Sequence, residues 1–222
     1  MTPETFAAVD DALARWLVPE DAVLRGVLAG ADADGVPSIH VSPLQGRWLH
    51  VLAKAIGARR ILEIGTLAGY SAICMARALP RDGTLVTLEI DPRHAAIARR
   101  NVEIAGLADR VEIVLGAALD SLERLRRERV FPFDLVFIDA DKARCTEYLD
   151  QAVELARVGA TIVVDNVVRE GRVSDARSTD PSVQGVRRLM ERLHAHPRLA
   201  ASALQTVGTK GYDGFVMAVV ER

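Results

Sequence analysis

The sequence predicts an α/β protein with a doubly wound, mostly parallel seven-stranded sheet, and three observations carry that expectation. From Arg60 onward, short apolar runs alternate with segments of helical spacing, the pattern of strand-helix-strand units. The last two strand candidates have no helix between them, so they are expected to pair antiparallel at the sheet edge. Half of the 222 residues are hydrophobic, enough for the core of one generous domain. A single domain spanning 1–222 is therefore expected, with residues 1–38 as an N-terminal helical cover and 39–222 as the α/β core.

Thr2-Pro3 opens the first helix as cap and N1 proline, and Phe6, Val9, Leu13, Trp16 and Leu17 form its apolar stripe. Pro19-Glu20-Asp21 starts a shorter helix through Leu28, and a polar loop follows from Gly30 to Ser38. Ser42-Pro43-Leu44-Gln45 has the form of a capping box, with Leu44, Trp48, Val51, Leu52, Ala55 and Ile56 along the helix it opens. Strands are expected at Ile61–Ile64, Leu85–Ile90, Val111–Leu115, Leu135–Asp139 and Thr161–Asp165. Asp82-Gly83, Asp91-Pro92 and Gly106 punctuate the gaps. Between the fourth and fifth strands, Tyr148, Leu149, Ala152, Leu155 and Ala156 give a helical stripe closed by Gly159. Val167 to Pro181 is a polar stretch long enough to be a lid. A helix on Val183, Val186, Leu189, Met190 and Leu193 precedes strands Leu199–Val207 and Phe215–Val220, joined by a loop from Gly208 to Gly214.

The crossover between the fourth and fifth strands makes them parallel, so both end on one edge of the sheet. Asp139, Asp165 and Asn166 stand at those ends, on the edge where open α/β sheets bind ligands. Three hard oxygen donors suit Mg²⁺ or Ca²⁺ better than zinc. The plainer alternative is that strand-end acids cap the following helices.

After the first strand, Glu63-Ile-Gly65-Thr66-Leu-Ala-Gly69-Tyr-Ser71 turns into a helix, the place of a dinucleotide fingerprint but with different spacing. An acid two residues before the first glycine repels a pyrophosphate and welcomes a positive sulfonium or ammonium. That favours S-adenosylmethionine over NAD. Glu89, at the end of the second strand, can accept ribose hydroxyls.

These residues resemble a known family. Ile61 to Ser71, Glu89-Ile-Asp-Pro92, Phe133-Asp-Leu-Val-Phe-Ile-Asp-Ala-Asp-Lys142 and Val164-Asp-Asn166 are similar to the motifs of the cation-dependent O-methyltransferases. That group includes the catechol and caffeoyl-coenzyme A methyltransferases and many bacterial relatives, and the resemblance covers roughly residues 38 to 222. It implies the Rossmann-like methyltransferase fold and S-adenosylmethionine as methyl donor, with S-adenosylhomocysteine as product. It implies a divalent cation, Mg²⁺ first and Ca²⁺ or Mn²⁺ next, on Asp139, Asp165 and Asn166, with Lys142 as catalytic base. Cofactor contacts are implied at Val41, Glu63, Gly65, Thr66, Gly69, Ser71, Glu89, Ala117, Ala118 and Asp139. A vicinal-diol aromatic acceptor and a homodimer are implied as well. The sequence departs from the plant caffeoyl enzymes in a longer stretch at Thr209–Asp213, and from the animal catechol enzymes in having Asp141 where a tryptophan follows the metal aspartate.

The residue types fit this chemistry. Methyl transfer needs an oxyanion near neutral pH, and a divalent ion holding both oxygens of a catechol supplies one. Lys and Arg together number 28, yet only Lys54, Lys142 and Lys210 are lysines. A lysine at 142 can take the phenolic proton where an arginine cannot, although a merely salt-bridged lysine explains the same residue. Lys210 and Tyr212 fall in the last loop on an unassigned side of the sheet, and His40 adjoins the cofactor region. Two alternatives of other classes stay open: an NAD(P)-type oxidoreductase, and a non-catalytic adenosyl-ligand-binding protein.

A net charge of −2 gives no electrostatic case for nucleic acid or an anionic membrane as partner. No apolar run is long enough to span a bilayer, and Met1-Thr-Pro-Glu-Thr-Phe6 lacks the order of a signal peptide. A soluble, cytoplasmic protein is expected. Cys74 and Cys145 show no metal-type spacing and are expected as reduced structural thiols.

Overall fold

The computed structural model describes residues 2–19, 21–130 and 132–221. Met1 and Glu20, which figured in the expected N-terminal segment and second helix, lie outside them. Seven strands form one sheet: β1 Arg60–Ile64, β2 Thr84–Glu89, β3 Val111–Leu115, β4 Phe133–Ile138, β5 Ala156–Asp165, β6 Leu199–Gly208 and β7 Gly211–Val220. Their order is β3-β2-β1-β4-β5-β7-β6. The first five are parallel, while β7 runs antiparallel to both β5 and β6.

Among the described residues eight α-helices accompany them: α1 Pro3–Leu17, α2 Ala22–Ala33, α3 Pro43–Ala55, α4 Tyr70–Ala76, α5 Pro92–Ile104, α6 Ala118–Arg127, α7 Cys145–Leu155 and α8 Pro181–Ala195. The period-2 alternation of the strands splits the core into two layers. On β4, Val136 and Ile138 face a cluster with Leu122, Leu149 and Leu189 of α6, α7 and α8. Leu135 and Phe137 face the other, with Ala31, Leu49 and Ile73 of α2, α3 and α4. Among the described residues no helix is long and apolar enough to cross a membrane.

Several expected boundaries move. Helix α2 continues to Ala33, so the first four residues of the expected Gly30–Ser38 loop are helical, because Val27 and Ala31 are buried and extend the apolar stripe. Helix α7 stops at Leu155, and Ala156 already pairs with Phe133. Gly159, at φ +79°, lies within the irregular start of β5 instead of ending the helix. The expected Gly208–Gly214 loop is a hairpin: pairing continues to Gly208↔Gly211 and leaves Thr209 and Lys210 as a two-residue turn. Gly211 at φ +88° supplies the left-handed conformation there.

Thr2 makes no side-chain cap to α1; its hydroxyl meets that of Thr5 at 3.3 Å. No residue of α1 is buried, and Val9, Leu13, Trp16 and Leu17 stay exposed, Trp16 by 78 %. A tie to the hairpin is Asp10 Oδ2, which accepts from Thr209 N at 2.8 Å. The expected lid between Asn166 and α8 is anchored, not free. Val167 and Val168 are buried, and Asp213 Oδ1 accepts from the backbone N–H of Val168, Arg169 and Gly214.

Candidate active site

The parallel register brings the ends of β1, β2, β4 and β5 to one edge. There Gly65 crosses at φ +100° so close to β4 that a Cβ would lie 2.1 Å from the Asp139 carbonyl oxygen, leaving only glycine room. Asp139 N donates to Ile64 O and Gly65 N to Leu88 O, at 2.9 and 3.0 Å. The turn continues through Leu67 at φ +50° and Gly69 at φ +84° into α4.

Glu89 locks this turn. Its Oε2 accepts from Thr66 N and Leu67 N, and its Oε1 from Ile90 N and Asp91 N. Above it opens a cavity of about 490 Å³. Of the residues expected to contact a cofactor, Val41, Gly65, Thr66, Ser71, Glu89, Ala118 and Asp139 line it. Glu63, Gly69 and Ala117 do not.

Glu63 is fully buried and accepts from Ser71 Oγ at 2.5 Å and from Thr87 Oγ1 at 2.6 Å. Burial pushes its carboxyl up to about 8. Ser71, which does line the cavity, stands between Glu63 and that space; burial at position 63 is set by neighbouring strands that sequence spacing does not report. Gly69 and Ala117 are the N-caps of α4 and α6 and shape backbone. His40, Tyr70, His94 and Arg169 also line the cavity. His40 and Tyr70 rings stand 5.9 Å apart. Tyr70 reads as a packing residue in sequence and is one, being buried, but its packing face is also the cavity wall.

The second group gathers around β4 and β5. Asp139 lines the first cavity, and Asp165 lines another of about 290 Å³. Asn166 lines both. Asp165 is buried, its Oδ1 accepting from Asn166 N at 2.9 Å and its Oδ2 from Gln45 Nε2 at 2.6 Å. Burial and the nearby Asp139 charge push its carboxyl up to about 7. Asn166 sits at φ +55°, a conformation asparagine tolerates better than most residues.

Gln45 is a residue that sequence reasoning misplaced. Ser42 Oγ accepts from Gln45 N as a cap should, but the Gln45 side chain turns away from the box to Asp165. Lys142, 8 % exposed, follows in a 3-10 turn, and its Nζ donates to Asp139 Oδ1 at 2.9 Å. Helix α8 lies against that turn at Gly185, where a Cβ would stand 2.0 Å from the Lys142 carbonyl oxygen.

Among the described residues no three His, Cys, Asp or Glu side chains are placed to hold a metal; the expected set has two carboxylates and an amide. Its chemistry fits a hard divalent cation. Burial and the Asp139 charge make the Asp165 carboxylate costly, and a cation relieves that cost.

The family model described as O-methyltransferase matches residues 20–218. The chain belongs to that O-methyltransferase family. This methyltransferase is similar to a protein named catechol O-methyltransferase from Niastella koreensis, 48% identical over 221 residues, covering 100% of both chains. A Mycobacterium tuberculosis protein of the same name is 51% identical over 212 residues, covering 96% of this chain and 94% of that one. Among solved structures, the O-methyltransferase from Bacillus cereus in complex with SAH superposes with a TM-score of 0.98 at 52% identity, covering 99% of this chain and 100% of that one. The fold expected for the methyltransferase, a parallel core with antiparallel C-terminal strands, is the one observed.

Proposed function

We propose that this O-methyltransferase moves the methyl group of S-adenosylmethionine to a hydroxyl of a small catechol-type acceptor, with the help of a divalent cation, Mg²⁺ first. What supports this is that Asn166 lines both cavities, with Asp139 and Lys142 on the wall of the first and Asp165, which feels the Asp139 charge, on the wall of the second. The names of the two relatives support the acceptor class. The SAH held by the Bacillus cereus protein supports the donor, because SAH is what S-adenosylmethionine becomes on losing its methyl.

Asp139, Asp165 and Asn166 are the residues that would hold the cation. When bound, it makes a chelated hydroxyl more acidic and fixes its direction. Gln45 orients Asp165 through the hydrogen bond to Oδ2. Val41, Gly65, Thr66 and Ser71 shape the donor's seat, with Glu63 behind Ser71, and Glu89 holds the turn over which the adenosyl part lies. Lys142 Nζ, kept in place by Asp139, first gives a proton to solvent and then, as the neutral amine with a free lone pair, takes the phenolic proton. The acceptor oxygen then bonds to the methyl carbon as the carbon–sulfur bond breaks, and sulfur leaves with the electron pair as a neutral thioether. Burial of Lys142 and Asp165 keeps water from competing.

We further propose a homodimer, favoured by the exposed apolar stripe of α1 and by Leu204, Val207, Met217 and Val219 exposed on β6 and β7. Free, buried Cys74 and Cys145, their thiols pushed up to about 12 and 11 by burial, suit a reducing cytoplasm.

A methyl-transfer screen over catechols, flavonoids and hydroxycinnamates tests the proposal, run after chelation and again with Mg²⁺ restored. Monomethylated diol that disappears with chelator and returns with Mg²⁺ is the expected result. NAD binding in place of SAH, or SAH binding with no product from any diol, would move the assignment to one of the two other classes.

A further inference from the structure

The second cavity supplies what the proposed reaction leaves open, the chemistry of the acceptor's far end. Asp165 and Asn166 stand at one part of its wall, and Trp48 and Phe215 line it with rings 4.6 Å apart, tilted by 44°. Such a pair offers aromatic surface to an aromatic guest. Three charged side chains beyond the metal-type set also line it: Asp10, Asp213 and Lys210.

The two carboxylates are already engaged. Asp10 Oδ2 accepts from both the backbone N and the hydroxyl of Thr209, at 2.8 and 3.3 Å. Asp213 Oδ1 accepts from three backbone N–H groups, and its Oδ2 faces Arg169 Nη1 at 4.0 Å. Lys210 differs. Its ammonium donates to one neutral partner, the Ser38 carbonyl at 3.1 Å. Among the described residues no carboxylate lies within 4.0 Å of it, although Asp32 attracts it from farther off, and an ammonium has three donors to offer.

Its place is fixed by the backbone. Lys210 is half of the two-residue hairpin turn, and that turn is tied to α1 through Asp10. Tyr212, two residues on, turns elsewhere: its hydroxyl bonds Gln205, and its ring lies against Gly171.

We infer that the acceptor is an ortho-dihydroxyaryl carboxylate, its diol at Asn166, its ring against the wall formed by Trp48 and Phe215, and its acid group on Lys210 at the cavity mouth. This rests on the methyl-transfer reading and adds the acid to it. Lys210 is thereby a specificity-determining residue, since it touches neither the diol nor the methyl donor. Its exposure keeps the ion pair modest, about fivefold in kcat/KM by the scale of partly solvated pairs.

The experiment compares kcat/KM for 3,4-dihydroxycinnamate and 3,4-dihydroxybenzoate with that for 4-methylcatechol and for dopamine. It uses the full-length wild type, Lys210→Met, Lys210→Glu and Arg169→Met. The wild type should favour at least one acid over 4-methylcatechol by about fivefold, and the advantage should shrink as NaCl is raised. Lys210→Met should bring the ratio to about one, and Lys210→Glu should turn preference towards dopamine. Circular dichroism and SAH binding check that the variants fold. A wild type indifferent to the acid, or an acid preference that survives in Lys210→Met or vanishes instead in Arg169→Met, overturns the inference while leaving methyl transfer intact. A wild type that methylates none of the diols overturns both.

Discussion

Replacing Gly65 with alanine perturbs the one backbone contact on which both halves of the site depend. A methyl group there meets the Asp139 carbonyl oxygen at 2.1 Å and its carbon at 2.8 Å, and neither can withdraw as a flexible side-chain end could. Two costs add. Holding a non-glycine residue at φ +100° costs about 1–2 kcal/mol, and forcing a methyl into closed packing costs about 1–3 kcal/mol more. The expected loss of stability is about 2–5 kcal/mol. Gly106→Ala is the matched control, for Gly106 is also left-handed, at φ +68°, with nothing within 4 Å of its Cβ position, so it should lose only about 1–2 kcal/mol. Urea unfolding of both variants gives the difference, and calorimetric titration with SAH gives its consequence. Because relief of the clash pushes β1 and β4 apart, Gly65→Ala should also lose SAH affinity at least tenfold. Equal stabilities for the two variants, with SAH binding intact, would refute the idea that contact between Gly65 and Asp139 organises the site.

Three further outcomes follow from the same geometry. Glu63 has a folded-state pKa of about 8 against an ordinary value of 4.5, so the folded protein binds the extra proton between those values. Stability should fall as pH rises from 4.5 to 8, by at most about 1.4 kcal/mol per pH unit from this group. Subtracting the pH profile of Glu63→Gln isolates that slope, and parallel profiles would contradict it. Lys142→Arg keeps a cation beside Asp139 but removes a usable base, so kcat should drop about 10²–10⁴-fold with SAH affinity within about twofold; near-normal turnover would make Lys142 purely structural. Gln45→Leu removes the hydrogen bond to Asp165 Oδ2 and should weaken Mg²⁺ binding about 10–100-fold, read by titration of the SAH complex.

What sequence could and could not show divides along physical lines. The strand ends that deliver Asp139, Asp165 and Asn166 were legible because a parallel crossover leaves a direct signature, apolar runs closed by acids with a helix between. The antiparallel edge was legible for the opposite reason, two strands with no helix. The hairpin was misread as a loop because Gly208, Gly211 and Gly214 all look like turn residues. Pairing of Thr206 with Asp213 and Val207 with Tyr212 overrides local preference. Gln45 resembled half of a capping box, yet its partner lies 120 residues away. Glu63 reads in sequence as a cofactor contact, yet it does not line the cavity, because the hydroxyls of Ser71 and Thr87 that satisfy it come from a helix and a neighbouring strand. Lys210 and Tyr212, indistinguishable in sequence, were separated only by the two-residue turn.

The most direct test is to count divalent ions on the SAH-loaded protein by Mn²⁺ electron paramagnetic resonance, for wild type and for Asp139→Ala, Asp165→Ala and Asn166→Ala. One tightly held ion per chain, weakened sharply in each variant and displaced by Mg²⁺, is the predicted result. An ion bound equally well by all four proteins, or catechol methylation by a wild type that holds none, would contradict the account.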